Sequence, residues 1–288
     1  METAAKGFNL TIPVNNLLFS YDDFGDGNIP IVFLHGYPFD KSMWRFQLDF
    51  FKTTHRLINL DIRGFGKSKD ETSALSIDLF TEDLILLMDK LSIRKAIICG
   101  LSMGGYIALN AINRFPGRFE ALILCDTQCI DDSPEVKKKR YKTIDEINMN
   151  GTVNFSDGFI KSVFCRDSLE SQKELVQQLR SVVLANSKHI ITQGLTALAE
   201  RSETCSTLNN ITIPTLIICG REDVVTPLVQ SELMHAAIRG SKLQVIDRAG
   251  HVSNLEQPLE FNSLLLRFLT DIGLGDGDEV RGNQTLFK

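Results

Sequence analysis

Residues 95–106, KAIICGLSMGGY, join an apolar run to a glycine-rich turn that contains one serine. The run Ala96–Cys99 is apolar and partly β-branched, which is typical of a buried strand. It stops at Gly100, and the residues that follow the turn, YIALNAINRF, have helical spacing. The pattern predicts a strand, a tight turn and a helix, with Ser102 in the turn.

Other short apolar runs repeat this arrangement, and a helical pattern follows most of them. The six strand candidates are Pro30–Leu34, Arg56–Leu60, Ala96–Cys99, Ala121–Cys125, Thr215–Cys219 and Lys242–Ile246. Near-continuous apolarity in short strands that alternate with helices favours a parallel sheet covered on both faces. Residues 10–21 precede them as a predicted antiparallel edge hairpin. The sequence therefore predicts an α/β fold with a mostly parallel sheet and helices on both faces.

The alternation breaks between Asp126 and Thr215, where the sequence is rich in helical patterns and poor in strands. We expect a helical cap inserted after the sixth strand, over the sheet edge where open α/β sheets bind ligands. Residues 1–126 and 215–275 are then the core and residues 127–214 the cap. The polar, glycine-rich residues 276–288 are expected to form a flexible tail.

The composition argues against several classes of partner. The 288 residues are 43% hydrophobic and 23% charged, with a net charge of -5, so the chain offers no basic field for nucleic acid. No segment approaches the roughly 18 consecutive apolar residues of a membrane span, and no secretory signal is apparent at the N-terminus. Neither a metal nor an organic cofactor is predicted, and the oligomeric state is left open.

The six cysteines indicate a reducing environment. Cys99, Cys125 and Cys219 lie in apolar runs, while Cys129, Cys165 and Cys205 show no paired framework and no CxxC spacing. We therefore expect buried free thiols and a cytoplasmic location.

Ser102 has the sequence context of a nucleophile. Residues 100–104 match G-x-S-x-G between a strand and a helix, where a strained turn lifts the hydroxyl out of the sheet edge. Gly100 and Gly104 are required because side chains there would collide with neighbouring backbone. The first amides of the following helix lie beside the reacting atom.

A serine nucleophile needs a base, and the base needs a carboxylate to orient it. In one known chain order the acid follows the serine and the histidine comes last. His251, in RAGHVSNLEQP, follows a predicted strand and precedes the final helix, so we predict that it is the base. Of the other histidines, His55 and His235 are expected at the surface and His189 in the cap.

The carboxylate has three candidates. Asp223, in IICGREDVVTP, follows a strand and should reach the same sheet edge as Ser102. Its neighbour Glu222 would point elsewhere, and Asp126 could reach the histidine from a neighbouring strand. We favour Asp223 and expect Asp126 to close a turn or cap a helix.

Two backbone N–H groups are expected to stabilise the oxyanion. One is the amide of Met103, and the second is the amide of Tyr37 in the loop after PIVFLHGYPFD. Gly36 lets that backbone approach closely. His35 is expected to be a hydrogen-bond partner of the loop and not a second base.

The stretch NLDIRGFGKS, residues 59–68, is similar to a phosphate-binding loop but lacks the G-x-x-x-x-G-K-[ST] spacing. We interpret it as a structural turn in which Asp61 pairs with Arg63.

Together these residues resemble the α/β-hydrolase superfamily over about residues 17–269. The matching segments, in the family's order, are HGYP, DIRGFGKS, GLSMGG, GREDVVTP and GHVSNLEQP. The chain looks most like the group of 3-oxoadipate enol-lactonases, carboxylesterases and cofactor-free haloperoxidase or perhydrolase-like enzymes. Epoxide hydrolases and haloalkane dehalogenases share the H-G-x-P loop but use an aspartate where this chain has Ser102.

The resemblance implies hydrolysis of a small ester or lactone through an acyl-enzyme, with no cofactor. Apolar cap residues, Phe155, Phe159, Val163 and Phe164, suggest a small hydrophobic acyl pocket, and packing in the core is the favoured alternative for each of them. Three alternatives stay open: a carbon–carbon bond hydrolase with the same triad, a slow-turnover receptor-like binding protein, and acyl transfer to an acceptor other than water.

Overall fold

An eight-stranded sheet forms the centre of the computed structural model, which describes residues 6–275. Its spatial order is β1-β2-β4-β3-β5-β6-β7-β8. The strands are β1 (Gly7–Val14), β2 (Leu17–Phe24), β3 (Ile31–Leu34), β4 (Leu57–Leu60), β5 (Ala96–Leu101), β6 (Phe119–Cys125), β7 (Thr215–Gly220) and β8 (Lys242–Ile246).

Only β2 runs against the other strands. It pairs antiparallel with β1 and with β4, whereas the neighbours from β4 to β8 pair in parallel. Every residue of β3, β4, β5 and β7 is buried, as expected for parallel strands covered on both faces. The predicted α/β class, the mostly parallel sheet and the edge hairpin are confirmed.

Helices cover both faces of this sheet. The core helices are α1 (Arg45–Phe51), α2 (Ile77–Lys90), α3 (Met103–Arg114), α9 (Leu228–Ala237), α10 (Ser253–Glu256) and α11 (Pro258–Asp271). Helices α2 and α3 pack together, and α1 packs against α11. Right-handed crossovers put these two pairs on opposite faces, because the chain reverses its direction across the sheet after β4. Within residues 6–275, no helix is long and apolar enough to cross a membrane.

The reversal of direction places the binding crevice. From β3 the chain moves outward to β4 and then crosses back to β5, so β3 and β5 are the neighbours at which the strand order switches. Ligands of open α/β sheets bind beyond the carboxyl ends of such strands. The His35–Tyr37 loop follows β3 and Ser102 follows β5, so both lie at this crevice.

Five helices separate β6 from β7, in the predicted position. They are α4 (Pro134–Asn150), α5 (Val153–Val163), α6 (Arg166–Ser171), α7 (Lys173–Leu184) and α8 (Lys188–Ala199). Ser133 and Ser187 cap α4 and α8 by accepting hydrogen bonds from Val136 N and Ile190 N. We call residues 127–214 the cap segment. The predicted tail, residues 276–288, lies outside the residues that the structure describes.

The turn at residues 59–68 differs from prediction in its pairing. Arg63 Nε donates to Asp83 Oδ2 at 2.6 Å and Nη1 to Asp70 Oδ2 at 2.8 Å. Asp61 instead accepts from the backbone N–H groups of Lys41 and Lys67 at 2.9 Å. The predicted Asp61–Arg63 pair is therefore wrong, because both arginine partners lie outside residues 59–68, one of them on α2.

Two of the six cysteines form a disulfide. Cys129, just after β6, is bonded to Cys205, just after α8, so the bond joins the two ends of the cap segment. The other four, Cys99, Cys125, Cys165 and Cys219, are buried free thiols as expected. The expectation was wrong for Cys129 and Cys205 because 76 residues separate them and only the fold brings their Cα atoms to 4.9 Å. The predicted cytoplasmic location loses this support, since disulfides persist mainly in oxidising compartments.

The disulfide should stabilise the fold by closing a long loop in the unfolded chain. Replacing both cysteines, Cys129→Ser with Cys205→Ser, is expected to lower the free energy of unfolding by about 2–4 kcal/mol. Urea titration of the oxidised protein and of the double variant measures the difference. Reductant should lower the midpoint of the unaltered protein and leave that of the double variant unchanged. Alkylation of six thiols in the unfolded, unreduced protein would contradict the bond.

Candidate active site

Ser102 lies in a strained turn at the end of β5. Its backbone has φ 54° and ψ -114°, a region that costs a non-glycine residue about 1–3 kcal/mol. The turn is held because Ser102 N donates to Cys125 O at 3.0 Å, and Ser102 O accepts from Thr127 Oγ1 at 2.8 Å. The side chain is 8% exposed and points toward His251.

The glycines of this turn allow a very close backbone approach. A Cβ on Gly100 would lie 2.2 Å from Gly104 O, and a Cβ on Gly104 would lie 2.2 Å from Leu34 O. Helix α3 thereby begins against the ends of β3 and β5. Both glycines have the steric role that the sequence predicted.

The two N–H groups predicted to stabilise the oxyanion are those of Tyr37, in the loop after β3, and of Met103, in the serine turn. Among the described residues, no group accepts a hydrogen bond from the backbone N–H of Tyr37 or of Met103. Met103 is the first residue of α3, where amides have no partner within the helix. The two segments are adjacent, since a Cβ on Gly36 would lie 3.3 Å from Ser102 Cβ.

His251 bridges Ser102 and Asp223. Its Nε2 lies 2.8 Å from Ser102 Oγ, and its Nδ1 lies 2.8 Å from Asp223 Oδ2. The ring is fully buried. Burial lowers the pKa of His251, and the charge and hydrogen bond of Asp223, together with Asp126 and Glu256, raise it by more, so the pKa is above its ordinary value.

Asp223 is held as an ionised carboxylate. Burial raises its pKa, and His251 together with hydrogen bonds from Thr226 lowers it by more, so the pKa lies below its usual value. Oδ1 accepts from Val225 N at 2.8 Å and Thr226 N at 2.9 Å, while Oδ2 accepts from Thr226 Oγ1 at 2.7 Å. The structure thus brings together the predicted serine, histidine and aspartate.

The other two acids do not contact the imidazole. Glu222 is exposed, whereas Asp126 is buried behind the site. Asp126 Oδ1 accepts from Gly220 N at 2.7 Å, and Oδ2 accepts from Ser253 Oγ at 2.5 Å. It ties β7 to the loop that carries His251. Burial, reinforced by the Asp223 charge, raises the pKa of Asp126 to about 8.

One group of possible metal ligands comes close together within residues 6–275. The donor atoms of Asp126, Cys219 and Asp223 lie within 4.8 Å of one another. The carboxylate oxygens already accept the hydrogen bonds described above. Burial also raises the pKa of the Cys219 thiol, which keeps it protonated, whereas metal ligation needs the thiolate. This chemistry favours a hydrogen-bonded support for the site over a metal centre.

His35 supports the loop that carries the Tyr37 amide. Its Nε2 accepts from Ile62 N at 2.9 Å, so Nδ1 carries the proton and donates to Gly36 O at 2.9 Å. Burial lowers the pKa of His35, which keeps the ring neutral. Of the remaining histidines, His235 is exposed as expected. His55 is buried, and its Nε2 lies 3.0 Å from the backbone oxygen of Leu274, which follows α11.

Two side chains that support the site, Glu256 and Thr226, were not predicted from the sequence. Glu256 accepts from Gly250 N at 2.6 Å and from Cys165 N at 2.9 Å, and so joins the histidine loop to the cap segment. The Thr226 hydroxyl donates to the Asp223 carboxylate. The D-x-x-T spacing, which is typical of a turn closed by an aspartate side chain, is the sequence signal for this contact. For Glu256 no local pattern was available, because one partner is 91 residues away.

Aromatic side chains lie over the Tyr37 loop. Phe155 and Phe159 of α5 stack with ring centroids 5.7 Å apart, and Phe159 also lies 6.2 Å from Tyr37. Phe155 and Phe159 are partly exposed, whereas Val163 and Phe164 are buried in the core. Of the four apolar cap residues named from the sequence, the first pair therefore faces the Tyr37 side of the site.

Comparisons with known proteins identify the family and the fold of the chain. A family described as "alpha/beta hydrolase fold" matches residues 29–258. The chain is 30% identical to 3-oxoadipate enol-lactonase 2 of Acinetobacter baylyi, over 88% of this chain and 94% of that protein. The fold is similar to a thermophilic esterase from Thermogutta terrifontis, with TM-score 0.86, 28% identity and coverage of 91% and 98% of the two chains. It is also similar to an enol-lactonase from Burkholderia xenovorans LB400, with TM-score 0.84, 28% identity and coverage of 91% and 100%.

The serine turn should not tolerate a methyl group. Gly100→Ala is expected to lower the free energy of unfolding by about 2–4 kcal/mol, because backbone must move to admit the Cβ. Gly158→Ala in α5 is the matched control, since its Cβ would meet nothing within 4 Å. That control should be neutral or raise stability by up to about 1 kcal/mol. Equal urea midpoints for the two variants would contradict the described turn.

Proposed function

Because the chain belongs to the alpha/beta hydrolase fold family, we propose that it is a serine hydrolase that cleaves a small ester or lactone. One observation carries the proposal: Ser102 Oγ donates to His251 Nε2, and His251 Nδ1 donates to Asp223 Oδ2, each at 2.8 Å. The relatives named as enol-lactonases and an esterase support the same bond type.

Acylation begins with the Ser102 hydroxyl. Its oxygen attacks the carbonyl carbon while His251 Nε2 takes its proton, and Asp223 stabilises the imidazolium that forms. The carbonyl electron pair moves onto oxygen, then returns as the carbon–oxygen bond to the leaving group breaks. His251 gives its proton to the leaving alkoxide, which remains attached to the acyl group when the substrate is a lactone.

The oxyanion would be stabilised by the N–H groups of Tyr37 and Met103. Both donors lack another partner within residues 6–275, so neither must break a hydrogen bond to serve the transition state. Preorganised donors of this kind contribute about 2.7–4 kcal/mol each to lowering the barrier.

Deacylation repeats the chemistry with water as the nucleophile. His251 takes a proton from water, hydroxide adds to the acyl carbon, and the Ser102 oxygen leaves with the proton that His251 returns. The chain's own groups therefore supply every proton transfer in the cycle.

The substrate is proposed to have a small apolar acyl group. Residues 127–214 are proposed to act as a cap over the core, of which the structure describes residues 6–126 and 215–275, and Phe155 and Phe159 form the apolar wall of the cap. Cleavage of a carbon–carbon bond stays an alternative. Turnover of a dienol-type diketone would reveal it.

A fluorophosphonate probe tests the nucleophile. We expect a stoichiometric adduct at Ser102, because His251 can remove the hydroxyl proton, and turnover of 4-nitrophenyl acetate. Ser102→Ala should lose the adduct and lower kcat by about 10⁴-fold or more with an unchanged circular dichroism spectrum.

Each other outcome of this experiment has a meaning. Full esterase activity in folded Ser102→Ala would remove the nucleophile assignment. Labelling at Ser102 with negligible turnover of esters and lactones would favour the receptor-like alternative. Turnover only in the presence of an added alcohol or amine would favour acyl transfer.

The orienting acid is tested by paired substitutions. Asp223→Asn should lower kcat by about 10⁴-fold, because the amide favours the wrong imidazole tautomer. Asp126→Asn should stay within about tenfold of the unaltered enzyme, since an amide oxygen can still accept one of the hydrogen bonds. A larger loss in Asp126→Asn than in Asp223→Asn would exchange the two roles.

The pH profile gives this test an independent readout. The base must be neutral, so kcat/KM falls as the pH drops through the pKa of His251. That pKa is raised by Asp223, so the acid limb should move to lower pH in Asp223→Asn. An acid limb that does not move would contradict the pairing of these two residues.

A further inference from the structure

The cap segment is hydrogen-bonded to the loop that carries the Tyr37 amide. The Tyr37 hydroxyl donates to Ile191 O of α8 at 2.8 Å. One residue further along the loop, Pro38 O accepts from Asn186 Nδ2, also at 2.8 Å. Both bonds are buried, and they cross 154 and 148 residues of sequence. The loop is therefore attached to the cap at two consecutive residues.

Packing reinforces the first of these attachments. A Cβ on Gly194 of α8 would lie 2.4 Å from Tyr37 Cε2, so the helix backbone rests directly on the tyrosine ring. Phe65 meets the same ring edge-to-face with centroids 5.9 Å apart. These neighbours leave the ring little room to move without α8.

The core also holds this loop, through hydrogen bonds at residues 35, 36 and 39. Phe39 N donates to Gly36 O at 2.9 Å, and Gly36 N donates to the Met43 sulfur at 3.3 Å. His35 adds the contacts described above. Gly36 O belongs to the same peptide unit as the Tyr37 N–H, so the core holds that unit from its carbonyl side. The hydrogen bonds at the Tyr37 side chain and at Pro38 O come from the cap segment.

Resting on the proposed function, we propose that the Tyr37 hydroxyl and the Asn186 carboxamide are positioning groups for the oxyanion donor. They hold the Tyr37 N–H in place from the cap side. The cap therefore sets the rate of the chemical step as well as the shape of the pocket. A misplacement of about 1 Å in such a group can cost about 10²-fold in rate.

Tyr37→Phe tests the hydroxyl with the smallest change. We expect kcat for 4-nitrophenyl acetate to fall by about tenfold with KM within about twofold, because an oxyanion donor acts mainly in the transition state. The affinity for a trifluoromethyl ketone, whose adduct with serine carries an oxyanion, should fall by a similar factor. Asn186→Ala should act in the same direction.

Tyr141→Phe is the matched control. It removes a hydroxyl that donates to Glu200 at 2.7 Å, with both residues in the cap segment and no contact to the loop. Its kcat and ketone affinity should equal those of the unaltered protein. Rates are expressed per site labelled by the fluorophosphonate, so a loss of folded protein does not count as a loss of kcat.

Hydrogen exchange measures how firmly the Tyr37 loop is attached to the cap segment, and it does not require turnover. Amides in residues 35–39 should exchange faster in Tyr37→Phe and in Asn186→Ala than in Tyr141→Phe. Unchanged exchange overturns the proposal, even if the unaltered protein hydrolyses no ester and the proposed function has failed. Faster exchange with an unchanged kcat per labelled site, or with a change in KM alone, also overturns it.

Discussion

The constraint on which the site depends is the close packing of the Ser102 turn against the ends of β3 and β6. Ser102 adopts a positive φ only because its neighbours fix the backbone on both sides: its N–H bonds Cys125 O, and its carbonyl bonds Thr127. The cost of this conformation, about 1–3 kcal/mol, is offset by the burial of β5 and α3 in the core. This conformation directs the Ser102 hydroxyl and the first N–H group of α3 toward the same small volume.

The parallel sheet brings the other groups to that volume. Parallel strands end at one edge, so the loops after β3, β5, β7 and β8 meet although they are far apart in sequence. The switch in strand order between β3 and β5 opens the crevice at that edge. A serine, a carboxylate and a histidine, each placed just after its strand, are therefore close without any of them being neighbours in the chain.

The same rule explains what the sequence could and could not predict. Ser102, Asp223 and His251 were found because each follows a recognisable strand, and the helices of the cap segment were found by their spacing. The Cys129–Cys205 bond, the partners of Arg63 and the two contacts of Glu256 were missed. Each of these depends on side chains meeting across the fold, where neither periodicity nor a short motif gives a signal. His55 was placed at the surface for the same reason, since its partner, Leu274, lies 219 residues away in the sequence.

Three carboxylates raise the pKa of His251, because each negative charge favours the imidazolium: Asp223 has the largest effect, and Asp126 and Glu256 follow. The environments of Asp223 and Asp126 shift their pKa values in opposite directions. Asp223 accepts two main-chain N–H groups, one hydroxyl and the imidazole N–H, and this set of donors keeps it charged. Asp126 has fewer donors, and burial beside Asp223 raises its pKa to about 8, so its charge is disfavoured where that of Asp223 is retained. The raised pKa of His251 favours the imidazolium that would form in the transition state of the proposed reaction.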